Sequence, residues 1–269
     1  MRVVLDTDRV SLIQGDSLEV LRSFASKSFD IVVTDPPYNT HVHEKLGKER
    51  RSDGGEARAE LTFPPMTEEL IFQVMSEFVR ICRGWIIVFS DFYNSHKWGQ
   101  AAVANGGSWV RTGAWVKTNP MPQMTGDRPA CGHEDIVICH AKQKGFEWNS
   151  RGHAAIWRGP RDHGAEHPNQ KPLWLVQALL GAFAPAGGLC LDPYLGSGTT
   201  AVAALTKDRV PGEVPTSTSC PKCVSKLLEQ YAAPLPVNAS VIGIEGDPKW
   251  LALAISRIRE AAPTLLQAA

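Results

Sequence analysis

The chain has 269 residues, 28 Lys+Arg against 28 Asp+Glu, with 43% hydrophobic and 21% charged residues. This is the composition of an ordinary globular protein with a sizeable core, one large α/β domain or two small ones, and not of a disordered or fibrous chain. No apolar run approaches the ~20 residues of a membrane span and the N-terminus lacks a signal-peptide pattern, so a cytoplasmic location is expected; the balanced charge argues against a broad basic surface but allows a local one.

In chain order, Val10 to Gln14 reads as a short strand ending in Gly15-Asp16, with Ser17 or Asp16 capping a helix through Leu18, Val20, Leu21 and Phe24. An acid at the carboxyl end of a strand is where open α/β sheets bind ligands; a plain helix cap is the other reading of Asp16. Ile31-Val32-Val33-Thr34 then runs as a buried strand into Asp35-Pro36-Pro37-Tyr38-Asn39. Proline fixes φ and removes a backbone donor, so the carbonyls around this turn are not consumed by a helix or a continuing ladder. A carboxylate, a proline carbonyl and a phenol ring on a stiff turn suit a planar amine: the oxygens accept from its NH2 and the ring stacks on the heterocycle.

Residues 40–62 are polar, charged and without periodicity, and include Lys45, Lys48, Arg50 and Arg51. A loop of this length beside such a turn favours a lid or a DNA-contacting segment, although a charge run is more often a solvated face. His41 and His43 lack further metal ligands nearby and read as solvated.

Thr67 starts a helix whose apolar side carries Leu70, Ile71, Val74, Met75, Phe78, Val79 and Cys82, ending near Gly84. Trp85 to Phe89 follows as a buried strand, Asp91 to Ala104 as a helix, and Trp109–Val116 and Asp135–Cys139 as strands. Alternating strand and helix predicts a largely parallel, doubly wound sheet. The segment 118–166 holds a proline-broken loop and the aromatics Phe146, Trp148 and Trp157 among arginines including Arg151, Arg158 and Arg161; these either contact nucleic acid or pack over the sheet edge.

After His167-Pro168-Asn169-Gln170-Lys171-Pro172 comes an apolar helix, Leu173 to Phe183, and then Cys190-Leu191-Asp192-Pro193-Tyr194-Leu195-Gly196-Ser197-Gly198-Thr199-Thr200. Strand, acid, glycine-rich loop and helix start suit a zwitterionic amino-acid end: Asp192 accepts from an ammonium, and backbone N–H groups face a carboxylate. The Lys of a phosphate loop and the third glycine of a dinucleotide fingerprint are both missing. Val241 to Asp247 supplies a further strand, with Glu245 where a ribose diol is bound in such sheets.

Gly15-Asp16, the Asp35 turn, Trp115-Val116-Lys117-Thr118-Asn119-Pro120, the His167–Pro172 run, the Asp192 loop and Glu245 together resemble the successive motifs of the β-group DNA amino-methyltransferases, which methylate adenine N6 or cytosine N4. In that group the catalytic motif precedes the cofactor loop, as Asp35 precedes Asp192 here. The resemblance covers most of the chain. It implies a Rossmann-like S-adenosylmethionine-dependent methyltransferase fold in a single domain over 1–269, circularly permuted, with a seven-stranded mostly parallel sheet holding one antiparallel strand. Residues 185 to 258 would supply the first two strands and residue 10 onward the third.

The resemblance also implies S-adenosylmethionine as cofactor, its methionine end on Asp192, Tyr194, the loop Gly196, Ser197, Gly198, Thr199 and Thr200, and Lys171. Glu245 would take the ribose and Asp16 the adenine, and Asp35, Pro36, Pro37 and Tyr38 would hold the target amine of a base flipped out of double-stranded DNA. Asp at position 35 resembles adenine-N6 more than cytosine-N4 enzymes. A restriction-modification setting and a homodimer are compatible with it, and loops 40–62 and 118–166 would read the site. RNA adenine, a protein amide, or an inactive nucleic-acid-binding protein of the same fold are the competing readings.

The chain departs from the family in residues 208–240, an insertion with five prolines and the pair Cys220 and Cys223. Two cysteines supply half of a zinc site; a surface excursion is the plainer expectation, and no metal is required for methyl transfer.

Overall fold

The structure is a computed structural model, and it describes residues 1–37, 66–150, 152–162, 165–167, 169–206 and 239–263. Tyr38, the 40–62 loop and nearly all of the 208–240 insertion with Cys220 and Cys223 lie outside the described residues.

Among the described residues nine strands form one sheet: β1 (Arg2–Asp6), β2 (Val10–Gln14), β3 (Phe29–Thr34), β4 (Cys82–Ser90), β5 (Ser108–Lys117), β6 (His133–His140), β7 (Ile156–Gly159), β8 (Leu189–Asp192) and β9 (Ser240–Glu245). Their order is β1-β2-β9-β8-β3-β4-β6-β5-β7. The seven strands from β2 to β5 in that order are parallel except β6, which pairs antiparallel with both β4 and β5. This is the expected sheet in its expected permuted order, with β8 and β9 central and β2 beside β9.

Two strands exceed the expected seven. β1 hydrogen-bonds antiparallel to β2 at one edge with a burial pattern that never reaches full burial, so it carries no clean alternation to announce it. β7 is four residues long and pairs parallel with β5 at the other edge. A strand so short has no readable period.

Among the described residues six helices cover the faces: α1 (Ser17–Ser23), α2 (Glu68–Ile81), α3 (Ser95–Ala104), α4 (Leu173–Phe183), α5 (Thr199–Leu205) and α6 (Pro248–Ala261). Strand alternation sorts the core into two layers. Ile31 and Val33 point to the cluster with Leu175, Leu179 and Ala254, while Val32 points to the one with Leu21, Phe78 and Trp98, which Phe29 joins because the register shifts between Phe29 and Ile31. No helix among the described residues is long and apolar enough to cross a membrane.

Two boundaries differ from the sequence reading. α2 stops at Ile81 and β4 begins at Cys82, because Arg83 and Gly84 already belong to the strand; a Cβ on Gly84 would stand 2.4 Å from the Asp30 carbonyl oxygen. α3 begins at Ser95 rather than Asp91, since the Asp91 carboxylate accepts from Tyr93 N and Asn94 N, both at 2.9 Å, and closes a turn first. The permuted ends are fastened by Arg9, whose guanidinium donates to the carbonyls of Ala204 (2.6 Å) and Ala239 (3.2 Å).

The aromatics of 145–157 largely pack over the sheet. Trp157 is buried, Trp148 lies 5.4 Å from the Phe183 ring, and Phe146 stands 5.5 Å from Trp85.

Candidate active site

Parallel strands deliver their carboxyl ends to one edge of the sheet, and the acids predicted from sequence sit there. Asp35 follows β3, Asp192 ends β8, Glu245 ends β9 and Asp16 follows β2. All four open onto one cavity of about 1160 Å³, shared by Pro36, Pro37, Lys171, Tyr194, Gly196, Ser197, Thr199 and Thr200. Pockets for single drug-sized ligands run to roughly 1,000 Å³, so this one has room for a cofactor and a base together.

β3 and β8 are neighbours, and their ends are joined through side chains: Thr34 Oγ1 donates to Asp192 Oδ1 at 2.9 Å, and Tyr194 N donates to the same oxygen at 3.2 Å. Burial pushes the Asp192 carboxyl up to about 6, against the opposing pull of hydrogen bonds from Thr200, Thr34 and Tyr194 N. Glu245 is raised by burial too, although Gly196 N and Asp247 N each donate to it at 2.8 Å. Gly246 N also donates to it, and the four lone-pair positions of a carboxylate still leave room for a hydroxyl donor. Asp16 caps α1 by accepting from Glu19 N at 2.9 Å and lines the cavity as well.

The loop after β8 turns at Gly196 (φ 53°) and Gly198 (φ 78°). Gly198 packs against α6, where a Cβ would meet Ala254 Cβ at 2.9 Å. Lys171, expected at the methionine end, instead has its ammonium 2.5 Å from Asp35 Oδ2 and 3.4 Å from Glu134 Oε2. The physical reason is charge: a lysine with 6% side-chain exposure needs carboxylates, and those two are within its reach.

The model of the DNA methylase family of N6/N4 amino-methyltransferases matches residues 29–256. The chain belongs to this family. It is 24% identical to the type II methyltransferase M.HinfI of Haemophilus influenzae over 94% of this chain and 69% of that protein. Among solved structures it is similar to M1.HpyAVI in complex with SAM (TM-score 0.60, 18% identity, 93% of this chain and 99% of that one). It is also similar to the cytosine-N4-specific PvuII DNA methyltransferase (TM-score 0.63, 13% identity, 98% and 94%). As a DNA amino-methyltransferase it draws its methyl group from S-adenosylmethionine.

Several residues at or beneath this cavity were given no individual role from the sequence. Arg257 of α6 donates to Ser197 O (2.6 Å), Ser197 Oγ (2.8 Å) and Thr199 Oγ1 (3.1 Å), setting a cation beneath the glycine loop. No local pattern in the sequence marks it. His167 packs edge-on to Trp250 with centroids 4.3 Å apart, and both line the cavity. Burial first, then the neighbouring Lys171, lowers His167 to about 4, so it is neutral at physiological pH. Phe92 and Tyr93 stand exposed at the cavity rim with ring centroids 3.8 Å apart.

Proposed function

We propose that the chain methylates the exocyclic N6 of adenine in double-stranded DNA, at a base flipped into the cavity between Asp35 and Asp192. The observation that carries this reading is the convergence of the Asp35-Pro36-Pro37 turn and the Asp192 loop on one cavity. Its donor set fits the cofactor: an ionisable Asp192 for the ammonium, the backbone N–H groups of the glycine loop, which Arg257 braces from beneath, for the carboxylate, and Glu245 for the ribose diol. Asp16 would take the adenine edge. S-adenosylmethionine supplies a methyl group made electrophilic by its sulfonium.

What the chain does is positioning and charge stabilisation. The amine lone pair of adenine is delocalised into the ring; hydrogen bonds from that amine to Asp35 and the Pro36 carbonyl localise it on nitrogen and offset the positive charge that grows there. Extruding the base costs a few kcal/mol, partly repaid by stacking worth about 1–3 kcal/mol. Tyr38 is assigned that stack, and the exposed Phe92–Tyr93 pair offers a second aromatic surface at the rim. The loop after β5 and the segment after β7 are clamped together, with Arg161 N donating to Asn119 Oδ1 at 2.7 Å, and would form part of the DNA-reading surface.

Asp in place of the Ser more usual in cytosine-N4 enzymes supports adenine. The test is to incubate the enzyme with S-adenosylmethionine and unmethylated genomic DNA and resolve the nucleosides by mass spectrometry. N6-methyladenine is the expected product, and N4-methylcytosine alone would overturn the choice of base.

A pH dependence follows from Asp192. Its folded value of about 6 lies above the ordinary 3.8, so the stability it contributes is present below 3.8 and lost as pH rises through about 6. Cofactor binding has the opposite demand, because the ammonium needs the ionised carboxylate. Affinity for S-adenosylmethionine is therefore expected to fall as pH drops below about 6, by up to about tenfold per unit. Calorimetric titration from pH 5 to 8 checks this; a flat profile would remove Asp192 from the ammonium.

A further inference from the structure

We infer that Glu134 is a positioning residue for methyl transfer: it shares the buried Lys171 ammonium with Asp35 and so keeps the catalytic carboxylate placed and negative. This rests on the proposed role of Asp35. Glu134 is the second residue of β6, paired in register with Trp115 of β5, two residues before Lys117. Four charges alternate in a chain across the cavity wall. Lys117 Nζ lies 2.8 Å from Glu134 Oε1, Glu134 Oε2 lies 3.4 Å from Lys171 Nζ, and Lys171 Nζ lies 2.5 Å from Asp35 Oδ2. The four side chains are 6 to 23% exposed, so water screens the chain weakly.

An ammonium that answers to a single carboxylate draws that side chain and its charge toward itself and so weakens it as an acceptor for a third group, although lone pairs remain. Here a second carboxylate draws on the same ammonium, and Lys117 in turn holds that carboxylate in place. Although burial works against the charged form of Lys171, Asp35 and then Glu134 outweigh it, and the ammonium is held protonated. Lys171 is therefore a fixed cation, not a base that takes the proton lost by the methylated amine. Removing Glu134 leaves Asp35 as the partner that balances Lys171, at the expense of the hydrogen bond from the target amine.

The test compares wild type with Glu134→Gln, Glu134→Asp, Lys117→Met and Asp35→Ala, in full-length protein. It measures melting temperature, S-adenosylmethionine affinity and single-turnover methylation of unmethylated genomic DNA. Glu134→Gln is expected to bind cofactor as wild type does and to transfer methyl between about 10- and 100-fold more slowly, the loss that a small misplacement of a catalytic group produces. Glu134→Asp should recover part of the rate, and Lys117→Met should lose a smaller part. A wild-type rate in folded Glu134→Gln, or a rate loss matched by an equal loss of cofactor affinity, would overturn the inference. Should Glu134→Gln fail to fold, an unchanged rate in Lys117→Met would do the same. Full activity in Asp35→Ala would instead bring down the reading of the catalytic turn, and this inference with it.

Discussion

Asp35→Ala is expected to bind S-adenosylmethionine with wild-type affinity and to lose methyl transfer by at least about 100-fold, the scale seen when one electrostatic partner of a transition state is removed. Two separations support the split. Asp35 follows β3, whereas the glycine loop and Glu245 follow β8 and β9, so the cofactor's assigned contacts come from other strands. The link between them runs through Thr34 and Asp192, and Thr34 is untouched by the substitution. Lys171 loses its nearest carboxylate but keeps Glu134 at 3.4 Å, which limits the damage to the fold. The measurement is a pair: equilibrium cofactor binding and single-turnover methylation of the same preparation. Unchanged turnover would remove Asp35 from catalysis, and loss of both together would make its role structural.

Gly198→Val is expected to abolish measurable cofactor binding and to lower the melting temperature by roughly 4–24 °C, with two costs adding. At φ 78° a β-branched residue is strained by about 1–3 kcal/mol. The added Cβ would also meet Ala254 Cβ at 2.9 Å and its Cα at 3.1 Å, and overpacking of this kind costs about 1–3 kcal/mol more. Each kcal/mol corresponds to about 2–4 °C for a domain of 150–250 residues. Relief requires α6 to move away from the loop, and α6 carries Arg257, whose three hydrogen bonds hold Ser197 and Thr199. Stability and cofactor affinity should fall together, unlike the split expected for Asp35. Thermal melts with and without S-adenosylmethionine measure both; a variant still stabilised by cofactor would show that the loop tolerates displacement.

The sheet was legible where a strand is buried on both faces and ends in a functional acid. Ile31 to Asp35, Cys190 to Asp192 and Val241 to Glu245 each combine a continuous apolar run with a carboxylate, so the signal for the element and the signal for the site coincide. The edge strands β1 and β7 were not legible, because an edge strand is half exposed and four or five residues show no period. The boundaries of α2 and α3 were read late or early for a similar reason: they are set by a close approach of Gly84 to Asp30 and by the hydrogen bonds of Asp91, not by hydrophobic spacing.

By itself the sequence determined the family, the permuted order in which the Asp35 turn precedes the Asp192 loop, and the identities of the acids on the strand ends. Those depend on residue type and on local spacing, which a linear chain carries in full. Only the tertiary structure decided that Lys171 answers to Asp35 and Glu134, that Arg257 underlies the glycine loop and that Thr34 joins two strand ends. Each of these is a contact between residues 37 to 158 positions apart, and a charge or hydroxyl finds its partner through the packing of the sheet, to which no local pattern corresponds.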